Sequence, residues 1–340
     1  MARPPGGNMT QPHPLVEIWR GPLAESLHSG HAVICDANGN IREAWGDPAT
    51  LILPRSSAKM LQALPLVESG AAEAAGLSTE RLALSCASHS GAPIHVERVQ
   101  RWLADLGLGD DDFRCGVQIP MGEPERDAML RANGTPCQAH NNCSGKHAGF
   151  LTLAQHLGAG PEYIDPAHPV QQACLQAFEE VTGETSPGFG IDGCSAPNHA
   201  CTLHGMARAM AQFAAASEGA DARQTAMVRL WQAMVAHPEL VAGETRACTE
   251  LMRACSEPVA LKTGAEGFFI AILPKRGLGV ALKVTDGATR ASECAITALL
   301  VRLGVLSADH PTAKRYMNAP IRNWRGVTTG MIRPDARLLS

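Results

Sequence analysis

The first third of the chain alternates apolar and polar residues with the period of a strand. His31-Ala-Val-Ile-Cys35 and Asn40-Ile-Arg-Glu-Ala-Trp45 flank Asp36-Ala-Asn-Gly39, and the Asn-Gly pair supplies the positive φ that a tight hairpin needs. A short apolar run, Leu51-Ile-Leu-Pro54, leads into a stretch over 57–75 where Met60, Leu61, Leu64 and Leu66-Val67 recur near the helical period. Pro65 and Gly70 fall inside that stretch and predict a kink or break. From about Pro93 to Cys255 the pattern is mostly helical, for example over 94–106, 169–181, 207–216 and 224–236. Gly-rich turns are expected to interrupt it at 141–149 and 188–197. Strand patterns return at Val259-Ala-Leu-Lys262, Phe268-Phe-Ile-Ala-Ile272 and Gly279-Val-Ala-Leu-Lys283, and a helix follows over 288–303.

Strands at both ends with helices between them predict an α/β (α+β) fold. Its antiparallel sheet is assembled from both chain ends and a helical region is inserted. A length of 340 residues, at about 150 residues per domain, suggests two domains. The pattern divides them as a sheet domain over 1–92 plus 256–340 and a mainly helical domain over 93–255.

Composition narrows the function. Hydrophobic residues at 45% supply an ample core, filled by aliphatic side chains because only 4% are aromatic. With 29 basic against 33 acidic residues and no basic block, a nucleic-acid partner is not expected. Residues 1–14 lack the continuous apolar core of a secretory signal, and the apolar stretch 295–306 is too short for a bilayer and carries Arg302. A cytoplasmic chain with no membrane partner is the expectation. Its 11 cysteines, odd in number and scattered, read as reduced thiols.

Arg55-Ser-Ser-Ala-Lys59 lies where a strand ends and a helix begins. Ser56 and Lys59 are three apart and share a helical face, whereas Ser57 and Lys59 diverge. A serine there meets free backbone N–H groups and the positive end of the helix dipole. Taken alone, so short a pattern reads better as an N-cap. Two features shift that balance. Leu261-Lys-Thr-Gly264 stands near the start of the C-terminal strands, and Ser85-Cys-Ala-Ser-His-Ser-Gly91 lies between the two lysine motifs. Ser-x-x-Lys early and Lys-Thr-Gly late is the arrangement of serine β-lactamases and penicillin-binding proteins. A lysine titrating near ~10.4 is a poor base at neutral pH unless burial or a second cation lowers it, and two lysines in one cleft do so for each other.

Asn141-Asn-Cys-Ser-Gly-Lys-His-Ala-Gly149 places Cys143, Lys146 and His147 at positions that one helical turn would align. Asp192-Gly-Cys-Ser-Ala-Pro-Asn-His199 adds a second thiol and a carboxylate. Two thiols near His or Asp suit Zn²⁺, but neither segment holds Cys-x-x-Cys, and spacing alone favours buried structural thiols.

Together these motifs resemble the rhizobial-type L-asparaginases of the asparaginase II family, over roughly 16–330. The resemblance implies a fold related to serine β-lactamases and glutaminases, and hydrolysis of L-asparagine to L-aspartate and ammonia through a serine acyl-enzyme. It implies two serine–lysine tandems, Ser56 with Lys59 and Ser88 with Lys262. The expected nucleophile is Ser56 with Lys59 as base, while Ser88 and Lys262 relay protons or form the second tandem. It implies one Zn²⁺ per chain on Cys143, Lys146 and Cys194, substrate contacts from Arg55, His147 and Asp192, and a homodimer. The rivals are a β-lactamase- or peptidase-like amidase and a non-catalytic, zinc-dependent asparagine-binding protein.

Overall fold

The computed structural model describes residues 11–340, so most of the stretch 1–14, read above as lacking a signal sequence, lies outside the described residues. In chain order the strands begin with β1 His13–Arg20, β2 Leu23–Asp36, β3 Ile41–Trp45 and β4 Leu51–Ile52. Within the helical middle come β5 Phe189–Ile191, β6 Pro197–His199 and β7 Cys201–Thr202. The C-terminal third adds β8 Ala260–Gly264, β9 Phe268–Leu273, β10 Leu278–Val284, β11 Pro320–Arg322 and β12 Thr328–Pro334.

The main sheet has 8 strands in the order β11-β12-β1-β2-β10-β9-β8, with β3 also on β2. Every pairing in it is antiparallel. It draws its strands from the two chain ends, as the order of patterns predicted. The β2–β3 hairpin forms where Asp36-Ala-Asn-Gly39 placed it. Gly39 takes φ 82°, and Asp36 Oδ1 accepts from the N–H groups of Asn38 and Asn40 at 2.9 and 3.0 Å. Strands β1, β11 and β12 had no counterpart in the pattern reading, which ended the sheet too early at both ends.

The unbroken apolar run of β9 is buried along its whole length, as a strand covered on both faces must be. Helices Leu203–Ala215 and Thr289–Arg302 both pack on β9 and β10. The first comes so close that a Cβ at Gly279 would lie 2.2 Å from Ala211 N and 2.3 Å from Ala207 O. Only glycine accommodates that approach.

The stretch 57–75 is broken, as Pro65 and Gly70 predicted. A 3₁₀ turn, Arg55–Ala58, runs into the short helices Lys59–Gln62, Leu64–Glu68 and Ala71–Ala74. Pro65 falls in the first turn of the second and Gly70 caps the third at φ 83°.

The expected turn over 141–149 is corrected. Helix Ser144–His156 covers most of it, and its glycines serve packing. A Cβ at Gly145 would meet Leu84 O at 2.3 Å, and one at Gly149 would meet a Leu66 methyl at 3.2 Å. Over 188–197 the turn stands, closed by pairing of β5 with β6. No helix among the described residues is long and apolar enough to cross a membrane.

Candidate active site

Three chain segments bring the serine and lysine side chains together. The 3₁₀ turn Arg55–Ala58 follows β4 and carries Ser56 and Ser57. The loop after helix Thr79–Ser85 carries Ser88, whose N–H donates to Val241 O at 2.9 Å. Strand β8 carries Lys262. The buried Ser57 hydroxyl donates to Lys262 O at 2.9 Å and so ties the turn to the strand. The glycine of Lys-Thr-Gly permits this approach, because a Cβ at Gly264 would stand 2.6 Å from Pro54 O.

Both lysine amines converge on Ser88. Lys59 Nζ lies 3.0 Å from Ser88 Oγ and also donates to Ala87 O. Lys262 Nζ lies 2.9 Å from the same oxygen and donates to Thr263 O at 2.8 Å. Lys59 is 1% exposed and Lys262 wholly buried. Burial, followed by the neighbouring charge of Lys59, pulls the Lys262 amine down to about 7. A hydroxyl has one proton and two lone pairs. The arrangement is therefore satisfied by one ammonium donating to Ser88 Oγ while Ser88 donates to the other, neutral amine.

The structure thus joins Ser88 to both lysines. Ser56 stands apart from them: half-buried, its hydroxyl makes no hydrogen bond among the described residues. Ser56 and Lys59 keep the i, i+3 relation, which a 3₁₀ turn eclipses, but the Lys59 amine points to Ser88 and Ala87 O.

Beside Ser56, Arg55 adopts φ 50°, outside the usual range for a side-chain-bearing residue. Its guanidinium donates to Asp192 Oδ1 from Nε at 3.1 Å and Nη2 at 2.7 Å. The pair is only partly exposed, at 27% and 12%. Asp192 sits in the turn between β5 and β6, where its N–H donates to Ala196 O at 3.0 Å.

The same turn brings Cys194 to the helix Ser144–His156. Lys146 Nζ donates to Cys194 Sγ at 3.1 Å. The Cys194 thiol is held well below its ordinary range, first by the neighbouring Cys143 and then by the charge of Lys146, against the cost of burial. Cys143, whose Sγ donates to Asn142 Oδ1 at 2.9 Å, is pushed well above by the neighbouring Cys194 and by burial. Burial alone would lower Lys146, but the sulfurs of Cys194 and Cys143 and the Asp192 carboxylate raise it.

His147 is wholly buried. One ring nitrogen, Nδ1, lies 2.9 Å from the Tyr163 hydroxyl, and the other is buried with no hydrogen-bond partner of full geometry. The ring is enclosed beside Phe150 and Tyr163. Tyr163, which orients the ring, was missed because it lies outside every motif.

Among the described residues no three His, Cys, Asp or Glu side chains form a metal-holding group. The donors that do converge are the sulfurs of Cys143 and Cys194, the Lys146 amine and His147 Nε2, which has no hydrogen-bond partner among the described residues. That soft set fits a zinc ion on condition that Lys146 gives up its proton.

The loops that carry the two clusters are joined. His89 N–H donates to Asn142 O at 3.2 Å, linking the Ser88 loop to the Cys143 loop. His89 Nε2 lies 2.9 Å from Ser144 Oγ, and the charge of Lys59 reaches Cys143.

A family model described as L-asparaginase II matches residues 16–334. No curated protein matches. Among solved structures, Mglu in its native form is 14% identical with a TM-score of 0.45, covering 82% of this chain and 65% of that one. A β-lactamase from Mycobacterium bovis is 12% identical with a TM-score of 0.36, covering 80% of this chain and 94% of that one. The chain thus spans slightly less than two thirds of the length of Mglu. Matched over nearly its whole length, the chain belongs to the L-asparaginase II family.

Proposed function

We propose that this amidohydrolase cleaves the side-chain amide of L-asparagine, giving L-aspartate and ammonia through an acyl-enzyme on Ser56. The observation that carries the reading is the convergence of two buried lysine amines on one hydroxyl, Ser88, while Ser56, three residues before Lys59, makes no side-chain hydrogen bond among the described residues.

The proton balance follows from that geometry. The lysine pair holds one ammonium and one amine, and Ser88 lets the extra proton sit at either end. A proton passed through Ser88 to the Lys262 amine leaves Lys59 able to accept one, three residues from Ser56. Ser56 Oγ attacks the amide carbon and Lys59 takes its proton. The ammonium then protonates the leaving nitrogen, the C–N bond breaks, and ammonia departs. Water attacks the ester, Lys59 takes its proton, and returning it to Ser56 Oγ restores the enzyme. Ser88 is 5% exposed and engaged by both amines, which suits a relay better than an attacking group. The missing Lys59–Ser56 hydrogen bond is of the kind that tightens only when substrate is bound.

A free amino acid carries a carboxylate and an ammonium on one carbon. Arg55 and Asp192 present the complementary charges side by side, in a site where burial strengthens both. Cys143, Cys194 and Lys146 would hold the zinc ion. When bound, it supplies a fixed charge that orients the substrate's polar groups, the nucleophile coming from serine. His147, buried in the same cluster, is the third group proposed to contact substrate. A homodimer, on the family resemblance, and a cytoplasmic location, on the sequence pattern, complete the proposal.

The test is ammonia release by the purified protein from L-asparagine and from L-glutamine. Much faster release from L-asparagine is expected. Comparable rates would make it a general amidase, and binding without release would make it a sensor.

A further inference from the structure

The β5–β6 hairpin grips one residue twice. Asp192 in its turn holds the Arg55 guanidinium, and Asn198 on β6 holds the Arg55 backbone. Asn198 Oδ1 accepts from Arg55 N–H at 3.1 Å, and its Nδ2 donates to Arg55 O at 3.2 Å. A single planar amide therefore meets both main-chain polar groups of the residue that sits at φ 50°. A left-handed arginine is strained and persists only where its surroundings over-determine it. The ion pair with Asp192 cannot do this, because a long flexible side chain reaches its partner from more than one backbone conformation.

We propose that Asn198 is a positioning residue for Ser56, holding Arg55 in the left-handed conformation that aims the next residue's hydroxyl into the site. This rests on Ser56 being the attacking group. Asn198 is suited to the task because it is itself immobile. It is 2% exposed, faces Gly190 in the β5–β6 register, and follows Pro197, whose carbonyl accepts from Gln62 Nε2 at 3.2 Å. That last bond ties the clamp to the helix Lys59–Gln62, so the turn carrying Ser56 and the helix carrying Lys59 share one anchor. Relaxing Arg55 to an ordinary φ of about −60° would rotate the whole turn that carries Ser56 and Lys59 against the segment before it, and so shift Ser56 relative to Ser88 and Lys262. Displacements of about 1 Å in a reacting group cost on the order of a hundredfold in rate.

The experiment is a double-mutant cycle of Asn198→Ala and Arg55→Gly, read as kcat, KM and thermal midpoint. Asn198→Ala alone is expected to lower kcat by about tenfold to a hundredfold with KM changed much less. In the Arg55→Gly background, where positive φ costs nothing, the same substitution is expected to change kcat less than about threefold. Equal losses of kcat in both backgrounds, or a lowered midpoint with kcat intact, would overturn the proposal. Should Asn198→Ala fail to fold, Asn198→Asp keeps the shape and the acceptor but loses the donor to Arg55 O, and an intermediate fall in kcat is expected. Unchanged kcat in that variant would count against the clamp. A crystal structure of the Asn198 variant separates this idea from the choice of nucleophile. If Arg55 stays left-handed without the amide, the clamp is wrong whichever serine is acylated. If Arg55 relaxes while the acyl group is found on Ser88, the clamp stands and the Ser56 reading falls.

Discussion

Lys59 and Lys262, from opposite ends of the chain, stand 3.0 and 2.9 Å from the same oxygen, Ser88 Oγ. Two ammonium groups so close and so buried repel each other strongly. The cheapest resolution is that one of them stays neutral, and Lys262, drawn down to about 7 by burial and by Lys59, is the one placed to do so.

The pH dependence follows from that depression. At acid pH Lys262 is protonated and the relay has no vacancy, so kcat/KM should rise with pH through about 7. Stability should move the same way. The folded-state pKa lies below the unfolded value near 10.5, so between about 7 and 10.5 the unfolded chain binds more protons and stability increases with pH. Lys262→Met should remove the ascending limb of the rate profile and flatten the stability curve over that window. A wild-type profile with no limb between about pH 6 and 8 would show that Lys262 does not carry the proton.

The two serines should separate chemically. Ser56→Ala is expected to lower kcat by more than about a thousandfold with the thermal midpoint nearly unchanged, because its half-buried hydroxyl holds nothing together. Ser88→Ala should lower kcat by about 10²–10⁴, the scale of a lost proton-transfer group, and should also shift the midpoint because two buried amines lose their acceptor. Mass spectrometry of enzyme quenched during turnover locates the acyl group. Finding it on Ser88 exchanges the two roles.

Metal removal should act on binding more than on bond cleavage. Protein purified without chelator is expected to hold one zinc per chain by elemental analysis, and stripping it should raise KM while leaving part of kcat. Cys143→Ala and Cys194→Ala should behave alike, and the double variant should be little worse than either, since both serve one site. A stripped enzyme with unchanged KM and no turnover would make the metal a direct participant in the chemistry.

The helix-on-sheet contact is testable by stability alone. Gly279→Ala places a methyl group 2.2 Å from Ala211 N and 2.3 Å from Ala207 O, both backbone atoms that cannot swing away. Overpacking of this kind costs about 1–3 kcal/mol, and chemical denaturation should show it as a lower midpoint at unchanged slope. An unaltered midpoint would mean that helix Leu203–Ala215 can slide on the sheet.

Several features are legible in the sequence alone. The Asp36-Ala-Asn-Gly39 hairpin, the breaks at Pro65 and Gly70 and the buried run of β9 each depend on local chemistry: a positive φ, a missing N–H, an apolar period. Strands β1, β11 and β12 escaped because they lie at the sheet's outer end, where half-exposed polar residues blur the alternation. The 141–149 segment misled for a different reason. Glycine signals a turn in a local reading, but Gly145 and Gly149 are there because Leu84 and Leu66 press against the helix.

By itself the sequence determined which chemical groups the protein has and which local conformations carry them: serines and lysines at helix starts and a strand, paired thiols, a sheet closed from both ends. Only the tertiary structure decided the pairings. Lys59 shares a helical turn with Ser56, yet its amine bonds Ser88. Asn198 has no role legible in its sequence motif until folding sets its amide against Arg55. The physical reason is the same in both cases. A spacing of three residues says only which groups could meet, whereas a buried donor or acceptor must be matched by whatever the whole fold brings within about 3 Å.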